Sequence, residues 1–310
     1  MTDEKAKSEV AMLRPAKNHV TAMVVHLAPE YVELLRYFQD NGGWIRLPEK
    51  LEALVKNLNL SNYVQLYEDE RRIQVSLMFG LMGEEGYKKW SAELEAAGLE
   101  AQQSFLDDLT AEMATEESWE WLEDFFPGTP EEEEAQRQLF ESLAEDEKQQ
   151  AIRQAQFFWG FFFAQFYNVL SLMIHGRKLT SLVPRAMAGD DDALCKAIQI
   201  DPRLLSLHPY FHERRLKALN EGDGDLLARI GYRLANPGSR GKIRYPGLYM
   251  VFSMLEAANW LSDFSHAEIL DLCDAAALDR YQNRIEDVNY VTKRLREYRR
   301  MQKTGGLSMH

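Results

Sequence analysis

Residues 156–174 read QFFWGFFFAQFYNVLSLMI, with five Phe and one Trp inside 157–163 and almost no polar relief before His175. A helix that is apolar on every side is buried on every side, in a large core or in a bilayer. At 19 residues the run is near the shortest length that spans a bilayer. Three features favour a core. Gln165, Asn168 and Ser171 recur at three-residue intervals and line one helical face. The preceding residues 141–156 are charged and helix-forming, so the apolar run is the second half of one long helix. No other segment is apolar enough to span, and the aromatic rings are massed at the centre rather than in two interfacial belts. The sequence therefore predicts a buried core helix. Its polar row is expected either to line a pocket or to hydrogen-bond to neighbouring helices.

A chain of 310 residues with 45% hydrophobic and 11% aromatic content is a folded globular protein, long enough for two domains or one extended helical array. Its two cysteines, Cys195 and Cys273, both fall in apolar helical patterns with no zinc-ligand spacing, which points to a reducing compartment. The first residues, MTDEKAKSEVAMLRPAK, are charged and lack the apolar core of a secretory signal. The expected location is the cytoplasm.

Charge is unevenly divided. Residues 1–150 hold 14 Lys/Arg against 32 Asp/Glu, whereas residues 151–310 hold 22 against 17. The segment 84–147 alone carries 21 acids and 3 bases. Such segregation implies surfaces with different partners, or two parts that face each other.

In chain order, residues 1–17 are expected to be a flexible tail, followed by an acidic helical bundle over 18–144. Helices are expected from Pro29 to the Gly42–Gly43 pair, from Pro48 to Leu60, and from a cap at Ser61 or Asn62 through Met82. The acidic block carries apolar residues at helical spacing in SAELEAAGLEAQQSFLDDLTAEM and SWEWLEDFF, so amphipathic helices with a solvated negative face are predicted. Phe-Phe-Pro-Gly-Thr-Pro at 125–130 is a break. Thr129 with Pro130 opens a helix whose first turn holds Glu131–Glu134, where the helix dipole favours anions; this outweighs a metal site. The long core helix is expected over 145–178 and is shared by both halves. Paired helical hairpins should follow over 179–236, because Gly-Asp-Asp-Asp-Ala-Leu at 189–194 returns 33 residues later as Gly-Asp-Gly-Asp-Leu-Leu at 222–227. Each copy places Gly where one helix ends and Asp where the next begins. Residues 237–247 form a basic loop with Arg240, Lys242 and Arg244. A three-helix segment is expected over 248–303, as 248–264, 265–278 and 279–303, with Ser265 and Glu268 as a capping box. Residues 304–310 form a second tail. No strand-period segment appears. The fold class is all-α: a multi-helix bundle with a long central Phe-rich helix and a C-terminal region of stacked hairpins.

Motifs for catalysis are missing. His208 and His212 are four apart, but Pro209 pushes His208 out of helical geometry and opens a helix of its own, so the pair is not a metal motif. The Asp clusters at 190–192 and 223/225 lack the ligand pattern of a calcium loop and are better explained as helix caps. Gly-Ser-Arg-Gly-Lys at 238–242 is too short for a phosphate-binding loop and has Ile243 where Ser or Thr belongs, though it retains anion-binding character. No nucleophile motif is present, so the sequence gives no positive case for an enzyme, a cofactor or a metal.

The last helix is more telling. Tyr281, Ile285, Val288, Leu295 and Tyr298 form an apolar stripe, flanked by Lys293, Arg294, Arg296, Arg299, Arg300 and Lys303. The sequence favours a basic surface that docks on a partner protein or on the chain's own acidic block, ahead of one that binds nucleic acid. The expectation is a non-catalytic, soluble interaction or regulatory protein acting through charged surfaces. The alternatives are a nucleic-acid-associated regulator using 240–244 and the last helix, and third, a helical enzyme with a pocket beside the Phe-rich helix. No membrane partner is expected.

Overall fold

The computed structural model describes residues 17–40, 60–77, 79–80, 88, 92, 138, 141–236, 246–278 and 288–304. Every element among the described residues is a helix. The expected helix at 48–60, apart from Leu60, lies outside them, as do the acidic block's amphipathic helices, the 125–130 break and the Glu131–Glu134 helix start. So do Arg240, Lys242 and Arg244 and residues 279–287 with Tyr281 and Ile285.

The elements are α1 (Lys17–Asp40), a 3-10 helix (Leu60–Glu68), α2 (Glu145–His175), α3 (Leu179–Met187), α4 (Asp191–Ile200), α5 (Leu204–Leu207) and α6 (Pro209–Glu221). They continue as α7 (Gly224–Ala235), α8 (Pro246–Ala257), α9 (His266–Ala275) and α10 (Val288–Thr304). The chain divides into two compact units. One comprises Met1–Leu13, Arg46–Asn62 and Val75–Phe161, the other Arg14–Ile45, Tyr63–Gln74 and Phe162–His310.

The Phe-rich stretch is the second half of α2, as its composition requires. Glu145, Asp146 and Glu147 occupy the first turn, and the Glu147 carboxylate accepts from the Ala144 N–H at 3.0 Å. Anions there complement the helix dipole. At the far end Gly176 takes φ 65° and donates to the Leu172 carbonyl at 2.9 Å. Among the described helices α2 is the one long and apolar enough to cross a membrane, and 89% of its apolar window is buried inside the protein.

In the first unit, Phe157 packs tilted against Phe79 with ring centroids 4.2 Å apart. Ser76 donates to the Phe157 carbonyl at 2.7 Å, and Gln154 donates to the Gly80 carbonyl at 2.9 Å. A Cβ on Gly80 would stand 2.8 Å from the Phe158 Cα, so the two backbones meet there without room for a side chain.

In the second unit, Phe162 stacks on Tyr31 of α1 at 4.4 Å, and the Tyr31 hydroxyl donates to the Phe162 carbonyl at 3.0 Å. Tyr63 of the 3-10 helix lies against Phe163 and Tyr167. Full burial of each such ring contributes about 1.5–3 kcal/mol. α1 packs on α8 and α9; α3, α4, α6 and α7 form the stacked hairpins; α10 closes on α8 and α9.

Several elements differ from expectation. α1 begins at Lys17, twelve residues before Pro29, which lies inside the helix. Proline forfeits one hydrogen bond there, but the stripe Val20, Met23, Val24, Leu27, Tyr31, Leu34 and Leu35 is buried continuously through it. The single helix expected up to Met82 is instead a 3-10 stretch, a break at Asp69 and helical residues 70–77; Asp69 accepts from the Arg71 N–H at 2.9 Å. α8 starts at Pro246 and stops at Ala257, where Asn259 adopts φ 57°.

Local signals hold where chemistry is local. Asp190 accepts from the Asp192 and Ala193 N–H groups, and Asp223 from that of Leu226. These backbone bonds, with the Arg185 guanidinium as a second cause, keep the Asp190 carboxyl below its usual range. Gly189 and Gly222 have φ 95° and 70°. Arg214 joins the two corners, donating to Asp191 at 2.8 and 3.1 Å and to Asp223 at 3.4 Å. The Ser265–Glu268 capping box is present on both sides.

Candidate functional site

α10 presents two chemically opposite faces. Val291, Leu295, Tyr298 and Met301, at helical spacing, are all buried. Tyr298 lies over Phe252 and Tyr249 of α8 with centroids at 5.6 and 6.2 Å. Val288, assigned by sequence to the stripe, is 41% exposed, and Val291 and Met301 take its place. The reason is rotational: the stripe 291, 295, 298, 301 leaves Val288 on its margin.

Opposite the stripe, Lys293, Arg296, Arg299 and Arg300 are exposed. At 1.5 Å per residue they fall within about 10 Å of helix axis. No carboxylate pairs with Lys293, Arg296 or Arg299 among the described residues. Arg294 is different. It is half-buried, ion-paired to Glu297 and set 5.1 Å from the Tyr290 ring, and the Tyr249 hydroxyl donates to the same Glu297 at 3.1 Å. Lys303 lies in the last turn of α10, and its side chain is outside the described set.

The polar row on α2 is buried and turned toward neighbouring segments. Gln165 donates to the Ser253 carbonyl at 2.9 Å and to the Ser253 hydroxyl. Asn168 accepts from the Thr180 N–H at 3.2 Å, and Ser171 donates to the Arg177 carbonyl at 2.7 Å.

Two clusters, one half-buried and one buried, carry no sequence motif. In one, the Lys178 ammonium bonds Glu256 at 2.8 Å and also pairs with Glu70, while Tyr298 and Gln302 donate to Glu256 at 2.7 and 2.8 Å. Burial pushes the Glu256 carboxyl up, but the Lys178 charge and these hydrogen bonds outweigh it and hold it below its usual range. In the other, Asp201 has no exposed surface and accepts from Tyr63 at 2.5 Å and Tyr67 at 3.1 Å. Arg203 donates to the Tyr63 hydroxyl at 3.2 Å. Burial first, then the Asp201 charge, drives the Tyr63 and Tyr67 hydroxyls well above their ordinary values. The two phenols tie the 3-10 helix to Asp201 at the end of α4.

His208 begins α6 ahead of Pro209, as the sequence predicts, with φ −93° and ψ 119°. Its ring is buried 3.2 Å from a Glu68 oxygen, off the line of a good hydrogen bond, whereas His212 is exposed. Contact with His208 first, then the Arg72 charge, holds the Glu68 carboxyl below its usual range against the opposing effect of burial. The two imidazoles do not converge. Among the described residues no group of three or more His, Cys, Asp or Glu is placed to hold a metal ion.

Set against known proteins, the chain matches no family model, no curated protein and no solved structure.

Proposed function

We propose that this chain is a non-catalytic interaction or regulatory protein that engages another macromolecule through the outward face of α10. One observation carries the reading: four cations stand exposed on a helix whose opposite face is locked into the core. Three of them, Lys293, Arg296 and Arg299, recur at three-residue intervals on one face, a concentration of like charge that attracts an anionic partner. The enzyme reading draws less support, because the polar groups of α2 spend their hydrogen bonds on Ser253, Thr180 and Arg177. Buried thiols at Cys195 and Cys273 fit the cytoplasmic setting that this proposal assumes.

The test is affinity capture with the full chain and with the variant Lys293→Glu/Arg296→Glu/Arg299→Glu, each with and without nuclease. The variant should lose the captured partner at an unchanged melting temperature, since these side chains are exposed. Equal recovery of the same partner by both proteins would move the binding surface elsewhere.

A further inference from the structure

We propose that the partner of the α10 face is double-stranded nucleic acid, bound through its phosphate backbone. This rests on the reading that the outward face of α10 is the binding surface, and adds the chemistry of what it binds.

The argument begins with what that face lacks. Protein interfaces draw their affinity from apolar or aromatic anchors that become fully buried, and isolated exposed ion pairs return too little to offset the cost of association. On α10 the anchors are already used: Val291, Leu295, Tyr298 and Met301 are buried against the protein's own helices. Among the described side chains of α10 the exposed positions are Val288, Asn289, Lys293, Arg296, Arg299 and Arg300, and of these Val288 alone is apolar. A partner protein would meet charge with almost nothing to bury.

Nucleic acid needs no such anchor. Its phosphates hold a condensed layer of counterions, and replacing them with protein cations is favourable through their release. Guanidinium groups match phosphate oxygens in planar, forked geometry, and three of the four exposed cations are arginines. The whole chain is strongly acidic, at −13. That charge repels a polyanion at long range, but salt screens exposed charges beyond about 8–10 Å, so contact is governed by the local row. Asp271 and Asp274 are exposed on α9, which packs against α10, and they lower the local potential. The expected complex is therefore weak and steeply salt-dependent. Three phosphate contacts, from Lys293, Arg296 and Arg299, correspond to a slope of about −2.7 in log K against log salt, or roughly a fortyfold loss between 50 and 200 mM.

The experiment is fluorescence polarisation of a labelled 20-base-pair duplex with the full chain across that salt range. The expected result is micromolar binding at the lowest salt with a slope between about −2 and −3. Lys293→Glu/Arg296→Glu should weaken it at least tenfold and flatten the slope by about 2, with the melting temperature unchanged. Asp271→Asn/Asp274→Asn should strengthen it. Absence of saturation below 100 µM at the lowest salt, a slope that the charge-reversed variant leaves unaltered, or tighter binding to polyglutamate or to phosphatidylserine vesicles overturns the proposal. If the triple variant still loses a nuclease-resistant partner in affinity capture while the duplex fails to bind, the α10 surface stands and only its assignment to nucleic acid falls. If neither assay responds, both fall.

Discussion

His175 ends α2 with its Nε2 buried and without a hydrogen-bond partner among the described residues. Burial, then the nearby cations of Arg233 and Lys196, lowers its pKa from 6.5 to about 4. A histidine depressed in the folded state is protonated first in the unfolded chain. Its contribution to stability is thus complete above 6.5 and is lost as pH falls from there toward 4. The loss at the acid end amounts to roughly 3 kcal/mol at most, at 1.36 kcal/mol per unit. Urea denaturation of the wild type and His175→Gln at several pH values in that window checks this; matching slopes would exonerate the residue. Nothing in the sequence marks His175 as special, because its environment comes from α4 and α7. Asp201 is a sharper case. It reads as an ordinary helix-boundary aspartate, and its role appears only when Tyr63, 138 residues earlier, is folded against it.

Single elements were legible wherever their signal was local. The Glu145 start, the Pro209 start, the Gly–Asp corners and the Ser265 box each depend on residues within one turn, and each stands where the sequence puts it. Pro29 misled because a proline is a helix start by local chemistry and a helix interior only by tertiary packing. Gly80 shows the same divide. Alanine outranks glycine in a helix by about 1 kcal/mol, so propensity alone predicts that Gly80→Ala stabilises. The new Cβ would meet the Phe158 backbone Cα at 2.8 Å and N at 2.9 Å, atoms that cannot turn aside as a side chain can. Packing should win, and Gly80→Ala should lose about 1–3 kcal/mol. Gly231 in α7 is the internal control, with nothing within 4 Å of its would-be Cβ. Gly231→Ala should gain up to about 1 kcal/mol. Opposite signs in chemical denaturation support the close helix approach; two gains would refute it.

Across the whole molecule, segments far apart in the chain are tied together by groups that composition alone ranks as surface residues. The Lys178–Glu256 pair unites the start of α3 with α8, and Glu70, Tyr298 and Gln302 add the 70–77 helix and α10. The all-α class could be inferred from periodicity, whereas this network could not, since periodicity says which face is buried and not what meets it. Its pH behaviour follows from two opposite shifts. Glu256 lies below its ordinary range, so its contribution is present above that range and is lost as pH falls through its folded value. Burial alone would lower Lys178, but Glu256 and Glu70 raise it, so its contribution is present below the ordinary lysine range and is lost as pH rises through its folded value. Stability from the pair is greatest between the two. Lys178→Met would leave the half-buried Glu256 carboxylate with only Tyr298 and Gln302, and stranding a part-buried charged group in this way costs about 1–3 kcal/mol. Adding Glu256→Gln removes the stranded charge while keeping an acceptor for Tyr298. The double variant should therefore recover a large share of the loss, giving a coupling of at least about 1 kcal/mol. Additive losses in guanidinium denaturation would mean that Lys178 and Glu256 act independently, and that the network is held by its neutral hydrogen bonds instead.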